Sequence, residues 1–294
     1  MRCRECPRRC GAERDKTPGF CGVKGEFMLA RAGLHQWEEP CVSGTRGSGA
    51  IFFAGCSLGC CFCQNYAISR GNAGKAVSAA RLKEIFYELK AAGAHNINLV
   101  TASHYTAELA PLLADAPLPV VWNSSAYELT ETLRLLEGKV SVYLPDFKFF
   151  SPEKAAKYAN APDYPAVARE AIKEMVRQVG PVEIKDGLIR RGVIVRHLLL
   201  PGAADDARAI IDWVADTFPP GTVLFSLMSQ YTPYRPLPFE ELNRRLEKKE
   251  YLPVRNHLRR RGLGGYEQEL SSAKEEYTPA FDLTGVEKGS GEGQ

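Results

Sequence analysis

Three cysteines, Cys56, Cys60 and Cys63, stand at C-x3-C-x2-C spacing inside GCSLGCCFCQN, with Phe62 directly before the last. Thiolates from one loop suit an iron–sulfur cluster, whose cubane form normally takes four cysteines. Three ligands leave one iron open, and an open position makes a metal centre reactive, as it does for catalytic zinc. Such an iron can chelate a small molecule through an amine and a carboxylate. Four more cysteines, Cys3, Cys6, Cys10 and Cys21, form C-x2-C-x3-C-x10-C, with glycine after Cys10 and Cys21. That spacing fits a closed tetrahedral site holding zinc or an auxiliary cluster. Cys41 is a spare ligand or a buried thiol, and Cys61 falls outside the three-cysteine spacing and reads as a non-ligand. The nine cysteines, an odd and clustered set, all lie at or before Cys63, which favours metal ligation over disulfides.

The elements that must carry these groups follow from periodicity. Residues 1–48 are rich in Cys, Arg and Gly with little helical or strand period, and so read as a small metal-stapled module. Residues 49–231 alternate apolar runs with amphipathic stretches. Six runs read as strands: those ending at Gly55, Thr101, Asn123, Asp146, Leu200 and Met228. They lack polar alternation, as strands covered on both faces do. Between them, Leu82, Ile85, Phe86 and Leu89 share a helical face capped by Ser78, and further helices are expected over 164–179 and 205–217. The fold class is therefore α/β: a partial (βα)6 TIM-like barrel of parallel strands, with the Cys-rich module before it and a C-terminal helical extension, 232–294, after it. That extension is expected to hold two short helices around Glu240 and Val254 and a disordered tail, EKGSGEGQ.

In parallel βα folds reactive groups gather past the carboxyl ends of the strands. Those ends carry the cysteine loop, then TASHY, NSSAYE, DFK, Arg196 with His197, and SQY. If the fifth strand is regular, Arg196 and His197 point to opposite faces and only one enters the site; His197 is the favoured one.

The cysteine loop after the first strand resembles the signature of the radical S-adenosylmethionine superfamily, and DFK and IVRHLLLPG resemble its glycyl-radical-activating branch. The strings EEPCVSGTRGSGAIFFAGC, CQNYAIS, NINLVT, YLPDFK, GVIVRHLLLPG and SLMSQYTP resemble the PflX-type iron–sulfur proteins grouped with the pyruvate formate-lyase activating enzymes, over nearly the whole chain. The resemblance implies that Cys56, Cys60 and Cys63 bind a [4Fe-4S] cluster. Its open iron would take S-adenosylmethionine, cleaved reductively to methionine and a 5′-deoxyadenosyl radical that abstracts hydrogen from a substrate. Asp146 and Lys148 match the aspartate-x-lysine pair near the methionyl moiety, Asn123 and Ser124 would bond the sulfonium compound or its ribose, and His197 would approach the cofactor. The chain departs from the family where Thr101, Ala102, Ser103 and His104 replace a Gly-Gly-Glu-Pro motif; the Thr101 hydroxyl with backbone carbonyls would take over the amine contact.

The implied partners are a glycyl radical enzyme or other protein substrate, with a flavodoxin or ferredoxin as electron donor; radical modification of a small molecule or peptide is the alternative. A rival from another class is a non-catalytic metal protein binding nucleic acid through RNHLRRRG, 255–262. The balance of 38 Lys plus Arg against 35 Asp plus Glu gives polyanion binding no support, and a solvated helix end explains the run better. No run approaches eighteen apolar residues and MRCRECPRRC lacks a signal-peptide core, so the expected location is the cytoplasm, with no membrane contact.

Overall fold

All six apolar runs form strands, parallel and adjacent in chain order. The computed structural model describes residues 2–71, 73–270 and 278–287. Its strands are β1 Phe27–His35, β2 Ser48–Phe53, β3 Lys75–Val77, β4 Ile97–Val100, β5 Val120–Ser124, β6 Val142–Pro145, β7 Glu183–Lys185, β8 Leu188–Leu198, β9 Val223–Met228 and β10 Gly265–Glu267. The six expected runs are β2, β4, β5, β6, β8 and β9. Helices are α1 Pro40–Ser43, α2 Tyr66–Ser69, α3 Ala79–Ala91, α4 Thr106–Leu113, α5 Thr130–Leu133, α6 Pro152–Ala159, α7 Tyr164–Val179, α8 Ala204–Thr217 and α9 Lys248–Arg261. The architecture is the partial TIM-like barrel.

Sequence and structure agree closely where a period is long. The Ser78 hydroxyl accepts from the Arg81 N–H at 3.1 Å and caps α3, whose Leu82, Ile85, Phe86 and Leu89 are all buried. In α7, Ala168, Ala171, Ile172 and Met175 recur at i, i+3, i+4 and i+7 and are buried; burying a side chain the size of Ile or Met contributes about 1.5–3 kcal/mol. Around Glu240 the expected helix is a short 3-10 turn, Glu240–Asn243.

Strand parity divides the core. Leu99, Trp122, Tyr143, Val193 and Val195 face outward into the large cluster beneath the helices. Val121, Val142, Leu144 and Ile194 face inward, joined by Cys41 and Val42 from α1, which plugs the barrel floor. Ala50, Phe52, Ala54 and Val100 form a second inward cluster. The register aligns Val100 with Asn123, Arg196 with Ser226 and Leu198 with Met228, and Asp146 bridges Arg196, so the polar residues of the interior meet at one level.

The ends of the chain depart from expectation. The Cys-rich zone contains a nine-residue strand: β1 lies antiparallel on β2, and β3 pairs with β1 in turn. Its pattern is missed because Arg31, Gly33 and His35 interrupt the apolar residues. At the other edge, β10 adds a parallel strand to β9. Residues 278–287 then return to β1: Ala32 N–H donates to Thr284 O at 2.8 Å, Leu283 N–H donates to Ala30 O at 3.0 Å, and Arg31 pairs with Asp282 at 3.1 Å. Of the tail expected to be disordered, 288–294 lies outside the described residues. Among the described residues no helix is long and apolar enough to cross a membrane.

Candidate active site

The cysteine loop leaves β2 through Gly55, whose φ of +86° suits glycine and where a Cβ would stand 2.7 Å from the Cys21 carbonyl oxygen. Cys56 N–H donates to that carbonyl at 3.1 Å. Arg8 anchors the loop from the same N-terminal segment: its guanidinium donates to the carbonyls of Ser57 at 3.0 Å, Leu58 at 2.7 Å, Ala159 at 3.1 Å and Asn160 at 2.6 Å. A planar five-donor fork suits four convergent carbonyls. Cys56, Cys60 and Cys63 all line one cavity of about 300 Å3 inside the barrel mouth. Leu58 N–H donates to Cys56 Sγ and Ser69 Oγ–H to Cys63 Sγ, each at 3.4 Å. Burial and the neighbouring sulfurs push the Cys60 and Cys63 thiols up, against the pull of Lys148. Cys61 is absent from this cavity's lining, in keeping with a non-ligand; Cys41 is a buried thiol of the floor.

Among the described residues no three Cys, His, Asp or Glu side chains are gathered around a single ion position. A cubane spreads its thiolates farther apart than one ion does, so three soft donors on one cavity wall, beside a cation, fit a cluster better than zinc. That absence includes the N-terminal four: Cys3, Cys6, Cys10 and Cys21 do not close around a single ion. Cys10 Sγ and Cys21 Sγ each lie 3.4 Å from where a Gly19 Cβ would be, an ordinary contact distance, so both thiols flank Gly19. Burial would raise the Cys10 thiol, but hydrogen bonds from the Phe20 and Ala12 N–H groups and the Cys3 side chain bring it below its usual value.

In the same cavity, Asp146 accepts from Arg196 Nε at 2.7 Å and from Lys148 Nζ at 2.8 Å. Arg196 Nη1 donates to Glu38 Oε2 at 2.9 Å and Nη2 to Asn123 Oδ1 at 2.6 Å. Asn123 and Asn98 donate to Glu38 Oε1 at 3.1 and 2.9 Å. Burial alone would raise the Asp146 carboxyl; Arg196 and Lys148 override it and hold it below the usual range. Burial lowers Lys148, but Asp146 and the thiols reverse this and raise it, so the ammonium persists. A surface ion pair is thereby excluded: this network is inside the barrel.

Of the residues singled out from sequence, Thr101, Asn123, Asp146 and Lys148 line the cavity with the three cysteines. Thr101, at φ +56°, donates its N–H to Asn123 O at 2.8 Å. His197 and Ser124 do not line it. Parity turns His197 outward, where Nδ1 bonds the Phe147 carbonyl at 2.8 Å and burial keeps the ring neutral; Arg196 takes the inward place. Ser124 is the outward neighbour of Asn123, and its hydroxyl donates to Glu128 Oε1 at 2.5 Å. His104 is a core histidine, 2.9 Å from Ala54 O. Glu38 and Glu39 are the residues sequence reasoning missed. They precede Pro40, and the only signal was a pair of carboxylates entering a short proline-started helix. Of the four arginines in the basic stretch of α9, Arg259 pairs with Glu267 at 2.6 Å and Arg261 with Asp212 at 3.3 Å and with Asp216.

No protein-family model matches the chain. Among solved structures, Streptococcus suis SuiB superposes with a TM-score of 0.50 at 11% identity, over 74% of this chain and 48% of that one. SuiB bound to S-adenosylmethionine gives 0.48 at 11% identity, over 75% and 47%. The chain thus spans about half the length of the SuiB chains, and what it shares with the one superposed at 0.50 is the fold. In sequence it is 32% identical, over 260 residues, to the uncharacterized protein MJ0674 of Methanocaldococcus jannaschii, an alignment taking in 84% of this chain and 71% of the relative. On that likeness, the chain belongs to the family of MJ0674.

Proposed function

We propose that the chain is a radical S-adenosylmethionine enzyme. One observation carries the reading: a single loop brings Cys56, Cys60 and Cys63 to the cavity that Asp146, Lys148 and Arg196 enter from neighbouring strand ends. The three thiolates would hold a [4Fe-4S] cluster and leave its fourth iron for S-adenosylmethionine. When bound and reduced, the cluster supplies the electron that cleaves the sulfonium to methionine and a 5′-deoxyadenosyl radical. The chain's own residues bind, orient and exclude water. Lys148 offers donors to the methionyl carboxylate, and Asp146, kept ionised by its two cations, offers an acceptor to the ammonium. Thr101 and Asn123 add a hydroxyl and an amide on the adjoining wall.

The four N-terminal cysteines would hold zinc or an auxiliary cluster that shapes a supporting module over 1–48. The barrel over 49–231 would do the chemistry in the cytoplasm, with a flavodoxin or ferredoxin as donor, and 232–294 would complete the structure. Two substrates suit the chemistry, a glycine loop of a glycyl radical enzyme and a small molecule or peptide. The second is favoured by one feature: β10 and residues 278–287 occupy the unclosed side of the sheet, and Tyr266, Gln268 and Pro279 border the cavity. A bulky partner would meet the chain's own covering there.

Paramagnetic resonance of the reduced, reconstituted cluster tests the reading. S-adenosylmethionine should shift the wild-type spectrum, and Cys60→Ser should abolish the signal. A fully loaded wild-type cluster that ignores the compound would sink the proposal, while a glycyl doublet on a co-incubated protein would reassign the substrate.

A further inference from the structure

The cavity's charges do not balance. The side chains lining it include three carboxylates, Glu38, Glu39 and Asp146, against two cations, Arg196 and Lys148. His35 also lines it, but burial and the nearby Arg31 and Arg196 push it down to about 4, so it adds no charge at neutral pH. Three of the five N–H donors of Arg196, one on each nitrogen, go to Asp146, Glu38 and Asn123. Lys148 is turned to Asp146. Glu39 is left over. It is 8% exposed, the Ser226 hydroxyl is its side-chain partner, and its Oε2 is buried with no hydrogen bond. The nearest cation, Arg196 Nη1, is 4.0 Å from that oxygen, beyond hydrogen-bond length.

A buried carboxylate oxygen without a hydrogen bond is costly, and the ordinary remedies are a cation brought within hydrogen-bond reach or a proton. Burial and Glu38 do push this carboxyl up, against Arg196. A structural carboxylate would have been satisfied by the fold, as Glu38 is by Asn98, Asn123 and Arg196. Glu39 instead stands beside a cavity, where a ligand can supply what the chain does not.

We propose that Glu39 receives a nitrogen cation, an ammonium or guanidinium, carried by a small substrate that reaches the floor of the cavity. The inference rests on the proposed function, because the substrate is the one held within reach of S-adenosylmethionine. Aromatic Tyr266 and Trp37 border the same cavity and suit a cation on an apolar stem. The ammonium of S-adenosylmethionine is the other source of the same chemistry, and the test separates the two.

The probe is agmatine, which bears both cations, with hexanamide as an uncharged counterpart. Calorimetric titrations use the anaerobically reconstituted protein with and without saturating S-adenosylmethionine, so that failure of the cofactor reading shows separately. Agmatine should bind wild type and bind Glu39→Gln at least tenfold more weakly, while S-adenosylmethionine affinity stays within twofold. The proposal is overturned if agmatine does not bind wild type, if it binds both proteins alike, or if hexanamide binds as well. It is also overturned if Glu39→Gln loses S-adenosylmethionine tenfold, which would give the carboxylate to the methionyl ammonium, or if that variant fails to fold, which would make Glu39 structural.

Discussion

Replacing Arg196 by methionine keeps most of the aliphatic volume and removes the guanidinium at the centre of the interior network. Three acceptors then lose a donor: Asp146 Oδ1 at 2.7 Å, Glu38 Oε2 at 2.9 Å and Asn123 Oδ1 at 2.6 Å. A hydrogen bond to a charged group contributes about 1.5–3 kcal/mol, so a plain sum would reach about 5–9 kcal/mol. The sum overstates the loss, because Lys148 still neutralises Asp146 and Glu38 keeps two amide donors. Breaking a buried pair by removing one partner costs about 3–5 kcal/mol, which is the expected loss here. At about 2–4 °C per kcal/mol for a chain approaching this size, the thermal midpoint should fall by roughly 6–20 °C. Circular dichroism melts of wild type, Arg196→Met, Glu38→Gln and the double variant close a cycle. Glu38→Gln should relieve part of the Arg196→Met loss, with a coupling of about 1–3 kcal/mol between them. A single-variant loss under about 1 kcal/mol, or additive losses, would show that Arg196 is not what holds these carboxylates.

The other predictions concern different parts of the same frame. Arg8→Met removes four carbonyl contacts that tie the cluster loop to the end of α6, and should cost about 1.5–3 kcal/mol in urea unfolding while speeding iron loss to a chelator; unchanged chelation would free the loop from this anchor. Glu128 is pushed up to about 7, chiefly by burial. With a folded value above its unfolded one, its contribution is full below about 4.5 and is lost as pH rises through 7. Glu128→Gln should therefore flatten the fall in stability between pH 5 and pH 8, and an unchanged slope would place the titration elsewhere.

What could be read from sequence followed the strength of the local signal. The six parallel strands were legible because both faces of each are buried, as in Ile97–Val100, where all four residues are. Helix α3 declared itself by its face and its Ser78 cap. That Cys56, Cys60 and Cys63 share one cavity was legible because they stand close together on one loop after an apolar strand. Strand β1 was not, since Arg31, Gly33 and His35 interrupt its apolar residues. The choice between Arg196 and His197 turned on register, which pairing with β9 and the Asp146 bridge fix only in three dimensions. Glu38 and Glu39 acquire meaning only when α1 plugs the barrel and delivers them to strands distant in sequence.

The most direct test of the account is product formation. The chain is reconstituted anaerobically with iron and sulfide, reduced, and given S-adenosylmethionine; chromatography then measures 5′-deoxyadenosine. Wild type should form it, and Cys56→Ala, Cys60→Ala and Cys63→Ala should each form none. A fully loaded, reduced wild-type cluster that yields no 5′-deoxyadenosine, or a Cys60→Ala chain that yields as much as wild type, would contradict it.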